Sequence, residues 1–379
     1  MKIIVAPDSF KGSLSASQVC WAIKKGIYRV IKDAQVIELP MADGGEGTME
    51  NLVCSTKGQK ISVKVKDPLG RIIDAEYGVL GDRETVVIET AQASGLTLLK
   101  DHERNPLYTS SYGTGQLIKH ALNKGYRKFI IGLGGSATND GGMGMLKALG
   151  IKFYDESGQL LNEGGGYLTN LAYYDDSTFD PRIKESSFII ASDVTNPLCG
   201  PQGASMVYGP QKGATSEMIK ILDKGLSNLA KVIYQQKGID VRNIPGAGAA
   251  GGMGATFIAF FNATLRSGID IVMEKIQFSQ KLQEGDLVIT GEGKLDQQTL
   301  SGKVIVGVSR LAKKLQIPVI ALCGTVKLDG EILDELGITA AFSIVDGPCT
   351  LLDAQQYASD LIVARTEQIM RLISRYFYK

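Results

Sequence analysis

Residues 1–39 indicate the fold class, and they read MKIIVAPDSFKGSLSASQVCWAIKKGIYRVIKDAQVIEL. Residues 2–6 and 36–39 are short, largely apolar runs of the kind that form buried strands. Between them, Ser15 and Gln18 have the spacing of a capping box, and the apolar residues that follow recur on one face of a helix. A strand, a helix and a second strand in this order are typical of a parallel sheet.

The pattern changes after residue 60. Alternating runs at residues 61–66, 72–80 and 85–89, separated by turns at 67–70 and 81–82, predict an antiparallel meander. Strand and helix patterns then continue to the end of the chain and become regular again from residue 286. Further elements are predicted at residues 128–132, 188–191, 216–236, 287–290, 302–315, 319–323, 340–345 and 353–376.

These patterns predict an α/β fold with two domains. A Rossmann-like doubly wound parallel-sheet domain would take residues 1–60 and 285–379. A second, mixed-sheet α/β domain, residues 61–284, would be inserted into it, with an interdomain cleft. Because ligands of open parallel sheets bind beyond the carboxyl ends of the strands, we expect the functional residues in the loops that follow the strands.

The composition narrows the class of protein. The 379 residues include 41 Lys and Arg against 40 Asp and Glu, so the net charge is +1 and a nucleic-acid partner is not expected. His102 and His120 are the two histidines, which disfavours histidine-based metal sites. Five cysteines without a CxxC pair favour free thiols and a cytoplasmic location. We interpret the uncharged, glycine-rich stretch 243–265 as a loop entering a buried helix, not as a membrane span.

Glycine is the outlier, with 45 residues, and much of it lies in six polar loops. Curled glycine backbone lets successive N–H groups point at an anion, and a helix that begins just afterwards adds its positive dipole end. We therefore expect the loops to converge on one polar ligand that carries phosphates. The loops are DSFKGS (8–13), ADGGEGT (42–48), LGGSATNDGGMG (133–144), SDVTNPLCG (192–200), PGAGAAGGMG (245–254) and GEGKLDQQTLSGK (291–303).

Other phosphate and hydrolase motifs are absent or weak. Residues 246–251, GAGAAG, match GxGxxG, but the preceding residues do not form the strand that a dinucleotide fingerprint requires. An NAD oxidoreductase is therefore disfavoured, and close helix packing or the lining of an adenine or phosphate pocket is the favoured interpretation. The sequence contains neither GxxxxGK[ST] nor GxSxG, so it is not that of a P-loop enzyme or of a hydrolase with a nucleophile elbow.

The charged residues of these loops point to phosphoryl transfer. That reaction needs cations on the phosphates, carboxylates on Mg²⁺ and an acceptor held in line, with little covalent chemistry from the protein. Lys11 and Lys294 could supply the positive charge, and Asp193 and Asp296 follow predicted strands. An Asp after a strand can also be only a helix cap or a turn former, so each acid keeps a structural alternative.

The six motifs, in this order, resemble the type-1 glycerate kinase family, the bacterial D-glycerate kinases, over essentially the whole chain. The resemblance implies phosphorylation of D-glycerate by ATP with Mg²⁺, and a two-domain α/β fold with an interdomain active site. It favours 2-phosphoglycerate as the product and leaves 3-phosphoglycerate open. It also implies a place in the metabolism of glycolate, glyoxylate and aldarates.

Roles for single residues follow from chemistry on the matching motifs. Asp193 or Asp296 would accept the hydroxyl proton or bind Mg²⁺, while Lys11 and Lys294 would neutralise the glycerate carboxylate and the transferring phosphoryl group. Arg71 is a candidate carboxylate-binding residue, with a hairpin surface residue as the alternative. The other candidates for glycerate binding are Asp8, Ser9, Asp43 and Glu46, and those for phosphate or nucleotide binding are Gly134, Gly135, Ser136, Thr138, Asn139, Gly248 and Gly251.

Two other functions stay open at this point. A kinase for another small hydroxy acid would share every phosphate-handling loop, and a non-catalytic nucleotide-binding regulatory module would bind without turnover. The sequence does not decide which hydroxyl is phosphorylated, which Asp is the base, or whether the protein is a monomer or a homodimer. A membrane partner is not expected.

Overall fold

A computed structural model describes residues 1–297 and 304–377. The chain divides into two compact units. The first contains Met1–Asp43, Glu50–Ser55 and the chain from Ile269 onward, and the second contains Gly44–Met49 and Thr56–Gly268. Each unit is built around a sheet of its own.

The strands are named in chain order. They are β1 (Lys2–Val5), β2 (Gln35–Glu38), β3 (Gln59–Lys66), β4 (Ile72–Val79), β5 (Thr85–Glu89), β6 (Lys128–Gly132), β7 (Lys152–Tyr154), β8 (Tyr173–Asp175), β9 (Ser187–Ala191), β10 (Thr264–Arg266), β11 (Leu287–Leu295), β12 (Val319–Val326) and β13 (Ala340–Ser343).

The α-helices are named in the same way. They are α1 (Ala16–Tyr28), α2 (Thr48–Thr56), α3 (Ala91–Ser94), α4 (Tyr112–Asn123), α5 (Met143–Ala148), α6 (Ala204–Tyr208), α7 (Ser216–Lys237), α8 (Ala249–Phe261), α9 (Gly268–Lys275), α10 (Phe278–Leu282), α11 (Val304–Lys314), α12 (Gly330–Leu336), α13 (Leu351–Gln356) and α14 (Ala358–Phe377). Short 3-10 helices lie at Leu96–Leu98, Asp101–Glu103, Gly165–Asn170, Pro181–Glu185 and Pro210–Lys212.

The first unit confirms the prediction of a parallel α/β sheet. Its strands run in the order β13-β12-β11-β1-β2, and all the neighbouring pairs are parallel. The apolar face of α1 packs with α14 over one side of this sheet, around buried residues such as Ile23 and Ile362. Residues of α11 and α12 form a second cluster with Leu295 and Cys323. Helices therefore cover both faces, as in a doubly wound sheet.

The second unit confirms the predicted meander and the mixed sheet. Its strands run in the order β10-β9-β6-β5-β4-β3. The pairs β3–β4 and β4–β5 are antiparallel, whereas β5–β6, β6–β9 and β9–β10 are parallel. The parallel strands thus end at one edge of the sheet, where the loops after β5, β6 and β9 lie side by side.

Local signals are confirmed in several places. The side chain of Ser15 caps α1, and that of Gln18 accepts the Ser15 N–H in return. The uncharged stretch 243–265 contains α8, whose residues are almost all buried. No helix in the described part of the chain is long and apolar enough to cross a membrane.

Two elements differ from the prediction. β11 does not end at residue 290 but continues to Leu295, because its backbone stays paired with β12 as far as Val326. The single helix predicted at 353–376 is two helices, α13 and α14, since Thr350 and Asp353 form a capping box that begins α13 early and Tyr357 ends it. Residues 298–303, the second part of the last predicted loop, lie outside the described residues.

Candidate active site

The first unit gathers polar residues where β1 and its neighbour β11 approach their carboxyl ends. The backbone N–H of Asp8 donates to the carbonyl of Gly291 at 2.8 Å, which fixes the loop after β1 against β11. The side chain of Asp8 is buried, and its Oδ1 accepts the N–H of Ser9 at 2.6 Å. The predicted residues Asp8, Ser9 and Lys11 therefore lie beside a second predicted loop.

The electrostatic surroundings of Asp8 are unusual for a carboxyl group. Burial and, next in size, the negative charge of Asp43 raise the pKa of Asp8 to about 7. Glu292 adds to the rise, while the Ser9 N–H and the ammonium group of Lys11 oppose it. A carboxyl group that titrates near neutral pH can accept and release a proton during a reaction. Glu292 was missed at the sequence level, although it stands in a quoted motif.

Lys294 and Asp296 lie together at the end of β11. The Nζ of Lys294 is 2.5 Å from Oδ2 of Asp296, with the lysine half exposed and the aspartate mostly buried. Lys294 lies in β11 and Asp296 directly follows its last residue, so the two side chains are only two positions apart along the chain. The structure thus brings together two of the predicted catalytic residues, as an ion pair.

A Mg²⁺ site in a protein needs carboxylate oxygens that lie near one another. Within residues 1–297 and 304–377, no group of three or more His, Cys, Asp or Glu is arranged to hold a metal ion. Mg²⁺ commonly takes only one or two protein carboxylates and completes its shell with water and phosphate oxygens. The mutual repulsion of Asp8, Asp43 and Glu292 would be relieved by a cation, so the donor chemistry of this cluster fits Mg²⁺.

The second unit gathers loops at the carboxyl edge of its parallel strands. Residues 44–48, from the second predicted loop, pack there so closely that a Cβ atom on Gly134 would lie 2.9 Å from the Cα of Gly45. The buried Glu89, which ends β5, accepts the N–H of Met49 with its Oε1 at 2.7 Å. Glu89 was not predicted, because a Glu at the end of an apolar strand carries no distinctive pattern.

Asp193 and Glu46 are both exposed in this unit. Asp193 follows β9, and its Oδ1 accepts the N–H of Gly268 at 3.2 Å. This bond ties the loop after β9 to the residue that begins α9. The second predicted loop divides between the units, with Asp43 in the first and Gly44 in the second.

The loop after β6 presents backbone donors. In the part of the chain that the structure describes, the N–H groups of Gly134, Gly135 and Ser136 have no hydrogen-bond acceptor. Gly135 is exposed and has a φ of +69°, a conformation that favours glycine. Successive free N–H groups in curled backbone form an anion-binding nest. This geometry fits the phosphate-binding role predicted for the loop.

A buried lysine that was not predicted holds this loop from behind. Lys212 is only 2% exposed, and its Nζ donates to Ser136 Oγ at 3.0 Å and to the carbonyl of Thr138 at 2.6 Å. Burial lowers the pKa of Lys212 to about 7, and the charge of Asp140 partly opposes this. The buried Asp140 in turn accepts four N–H or O–H bonds, which fold the end of the loop around it.

Two buried polar atoms on the same loop lack partners within the described residues. They are the Oγ1 of Thr138 and the Oδ1 of Asn139, and both residues are fully buried. The amide Nδ2 of Asn139 does donate to Ser205 Oγ at 2.9 Å. Buried oxygens without donors cost free energy, so their retention is typical of a functional segment.

Gly248 and Gly251 pack against backbone carbonyl groups and do not lie at the exposed end of the loop after β6. A Cβ atom on Gly251 would be 2.0 Å from the carbonyl oxygen of Thr138, and the φ of Gly251 is +67°. Gly248 is similarly close to the carbonyl of Pro197. These contacts agree with the packing interpretation of the GAGAAG stretch, in which glycine lets α8 support the loop.

Arg71 lies in the turn between β3 and β4. Its Nε is 2.5 Å from Asp67 Oδ2, and its Nη1 is 2.7 Å from Glu103 Oε1. Both bonds raise the pKa of the Arg71 guanidinium. A substrate carboxylate at this position would have to displace one of these two acids.

Comparison with known proteins gives a consistent result. The model of the glycerate kinase family matches residues 3–374. A glycerate kinase from Halalkalibacterium halodurans is 49% identical over 95% of both chains, and a glycerate 2-kinase from Escherichia coli is 47% identical over 97% of both. A crystal structure described as glycerate kinase 2 from Salmonella typhimurium covers 99% of this chain and 98% of its own, with 46% identity and a TM-score of 0.89.

Proposed function

The chain belongs to the glycerate kinase family, and from that premise we propose that it transfers the γ-phosphoryl group of ATP to a hydroxyl group of D-glycerate. The proposed product is 2-phosphoglycerate, with 3-phosphoglycerate as the alternative. The observation that carries the proposal is the loop at residues 133–139, where free amides stand in front of a buried lysine. Amide nests of this kind bind phosphate oxygens without needing a P-loop sequence.

Gly134, Gly135 and Ser136 would bind phosphate oxygens through their N–H groups. Lys212 supports this arrangement, because its bonds to Ser136 and Thr138 hold the loop in the curled form before any ligand arrives. Preorganised donors stabilise a developing charge better than donors that must first reorient. Thr138 and Asn139 would act mainly by shaping the loop, since both are fully buried.

Positive charge for the reaction would come from Lys11 and Lys294. Lys11 lies close enough to Asp8 to influence its titration, and Lys294 is paired with Asp296. In phosphoryl transfer the protein contributes chiefly position and charge, so such lysines would neutralise the phosphoryl oxygens or the glycerate carboxylate. We propose that Ser9, Asp43, Glu46 and Arg71 contribute to glycerate binding.

The proton of the attacking hydroxyl requires an acceptor. Asp193 and Asp296 are the acceptors proposed from the sequence, and the environment of Asp8 supports it as a third candidate. A pKa of about 7 allows Asp8 to be ionised when the acceptor binds and to hold a proton afterwards. Substitution of each of the three acids separates these assignments.

Mg²⁺ is implied by the family resemblance and fits the carboxylate chemistry. Asp43 would hold it in the first unit, together with Asp8 as the alternative to the role of Asp8 as base, and Asp193 and Asp296 are the ligands proposed from the sequence. When bound, it would neutralise charge on the phosphate oxygens of ATP. We further propose that the enzyme is cytoplasmic, a monomer or homodimer, and active in glyoxylate metabolism.

A panel of acceptors tests the proposal. ADP release from MgATP should be measured with D-glycerate, L-glycerate, glycolate and D-lactate at equal concentrations. We expect kcat/KM for D-glycerate to exceed the others by at least about 100-fold, since each buried hydroxyl contact that is lost costs about 1–3 kcal/mol. Faster turnover of another hydroxy acid would contradict the glycerate assignment, and binding of ATP without any turnover would contradict the kinase.

A further inference from the structure

The first unit contains a pocket in which Lys11 is the only lining residue, in the described part of the chain, with a role assigned above. It has a volume of about 700 Å³ and lies at the carboxyl ends of the parallel strands β12 and β13. Gly324 and Ser343, at the ends of those strands, line it together with Lys11 from the loop after β1. The segment 345–351, which leads into α13, also lines the pocket.

The size of the pocket argues against the smaller substrate. Pockets of roughly 300–1,000 Å³ suit ligands of the size of drugs and nucleotides. D-Glycerate has only seven non-hydrogen atoms and would leave most of 700 Å³ to water. The larger of the two proposed substrates, a nucleoside triphosphate, carries a nucleoside that matches this volume.

The lining has the chemistry of a nucleoside site. Val326, Val345 and Leu351 are apolar side chains on which a flat base can pack. Part of the lining is bare backbone, because Gly293 and Gly324 lie so close that a Cβ on Gly324 would be 2.5 Å from the carbonyl oxygen of Gly293. Packing of a base on apolar walls and backbone requires no charged partner.

The charged groups that line the pocket belong to exposed residues. Among the described residues that line it, Lys11 is the cation and Asp346 the anion. A carboxylate is a good acceptor for the two hydroxyl groups of a ribose. Lys11 also influences the titration of Asp8, so it marks the side on which the proposed reacting residues lie. A nucleoside held here would have its phosphates directed past Lys11.

We propose that this pocket binds the nucleoside part of the nucleoside triphosphate, with the base against Val345 and Leu351 and the ribose at Asp346. This inference rests on the proposed kinase function, and it adds the location of the nucleotide. It assigns a function to Leu351, which is 74% exposed although it is apolar. The base would cover it and remove apolar surface from water.

Two exposed cysteines allow a direct test. Cys349 lines the pocket, whereas Cys54 lies on α2 and is not among the lining residues. The alkylation rate of each thiol should be followed by mass spectrometry of the intact enzyme with ADP, adenosine, D-glycerate or inorganic phosphate. We expect ADP and adenosine to slow alkylation of Cys349 at least fivefold and to leave Cys54 unchanged, while glycerate and phosphate protect neither.

A matched pair of variants gives a second readout. Leu351 lines the pocket, and its neighbour Leu352 is 71% exposed but does not. We expect Leu351→Ser to raise the Kd for ADP, measured by calorimetry, about tenfold, and Leu352→Ser to change it less than twofold. The KM for D-glycerate should stay within twofold in both variants.

The outcomes separate this inference from the kinase proposal. If ADP binds and supports turnover but leaves Cys349 unprotected, or if both leucine variants bind it normally, the pocket is not the nucleoside site and the kinase proposal stands. Protection of Cys349 by D-glycerate alone would make the pocket the acceptor site and overturn the inference. Failure of any nucleotide to bind would overturn both.

Discussion

Replacement of Lys212 by Met should change the pH dependence of stability in a way that follows from its burial. The lysine is enclosed, and burial lowers its pKa from 10.5 to about 7. A base whose pKa is lower in the folded state binds fewer protons there than in the unfolded chain. The burial of Lys212 therefore lowers the free energy of unfolding by its full amount below about pH 7, and by less as the pH rises toward 10.5.

The two pKa values give the size of this effect on the free energy of unfolding. The drop from 10.5 to about 7 corresponds to about 5 kcal/mol of destabilisation at acidic pH, at roughly 1.4 kcal/mol for each factor of ten. Linkage then predicts that the free energy of unfolding rises by about 2 kcal/mol between pH 7 and pH 9 because of this residue. The substitution Lys212→Met removes this destabilisation. It also leaves Ser136 Oγ and the Thr138 carbonyl without their donor, which costs about 1–3 kcal/mol for each.

The assay is denaturant unfolding of the wild type and of Lys212→Met at pH 7, 8 and 9. The exposed Lys220 on α7 provides the control variant Lys220→Met. We expect the wild type and the control to gain about 2 kcal/mol more than Lys212→Met over this range. The KM for ATP should also rise at least about tenfold in Lys212→Met, because the loop proposed to bind phosphate, residues 133–139, loses its support. Parallel pH profiles of stability in all three proteins would contradict the lowered pKa of Lys212.

Two further predictions concern the acids. Asp193→Asn and Asp296→Asn should each lower kcat at least about 100-fold, since general-base catalysis contributes a rate factor of roughly 10²–10⁴. The circular dichroism spectra should be unchanged. A near-normal kcat in both variants would show that neither acid accepts the proton or binds the metal. Asp8→Asn should raise the free energy of unfolding at pH 8 by up to about 4 kcal/mol, because an acid whose pKa rises from 3.8 to about 7 destabilises the fold as the pH rises between those values. The gain should vanish at pH 3.5, and a variant no more stable than the wild type at pH 8 would contradict the raised pKa.

Features set by neighbouring residues were predictable from the sequence. The cap at Ser15, the meander of β3, β4 and β5, and the parallel direction of β1 and β2 all follow from short-range patterns. The loop at residues 133–139 was identified by glycines and hydroxyls next to a strand. Its open amides agree with that reasoning.

Residues that act across long sequence separations were missed. Lys212 meets Ser136 at a separation of 76 residues, and no spacing rule connects them. The sequence pattern predicts a loop at Glu292, because no neighbouring residue indicates that β11 continues to Leu295. In the same way, the packing of Gly251 against Thr138 depends on how α8 crosses a distant loop. Such contacts are set by tertiary packing, which outweighs local preference.

Phosphorus NMR of the product from D-glycerate and MgATP shows whether the enzyme phosphorylates glycerate and at which hydroxyl group. We expect a new phosphomonoester signal that depends on both substrates and is split into a doublet by the single proton on C2, which identifies 2-phosphoglycerate. A triplet, from the two protons on C3, would contradict the regiochemistry. A spectrum that contains only ATP, or only ADP and inorganic phosphate, would contradict the assignment of this chain as a glycerate-phosphorylating enzyme.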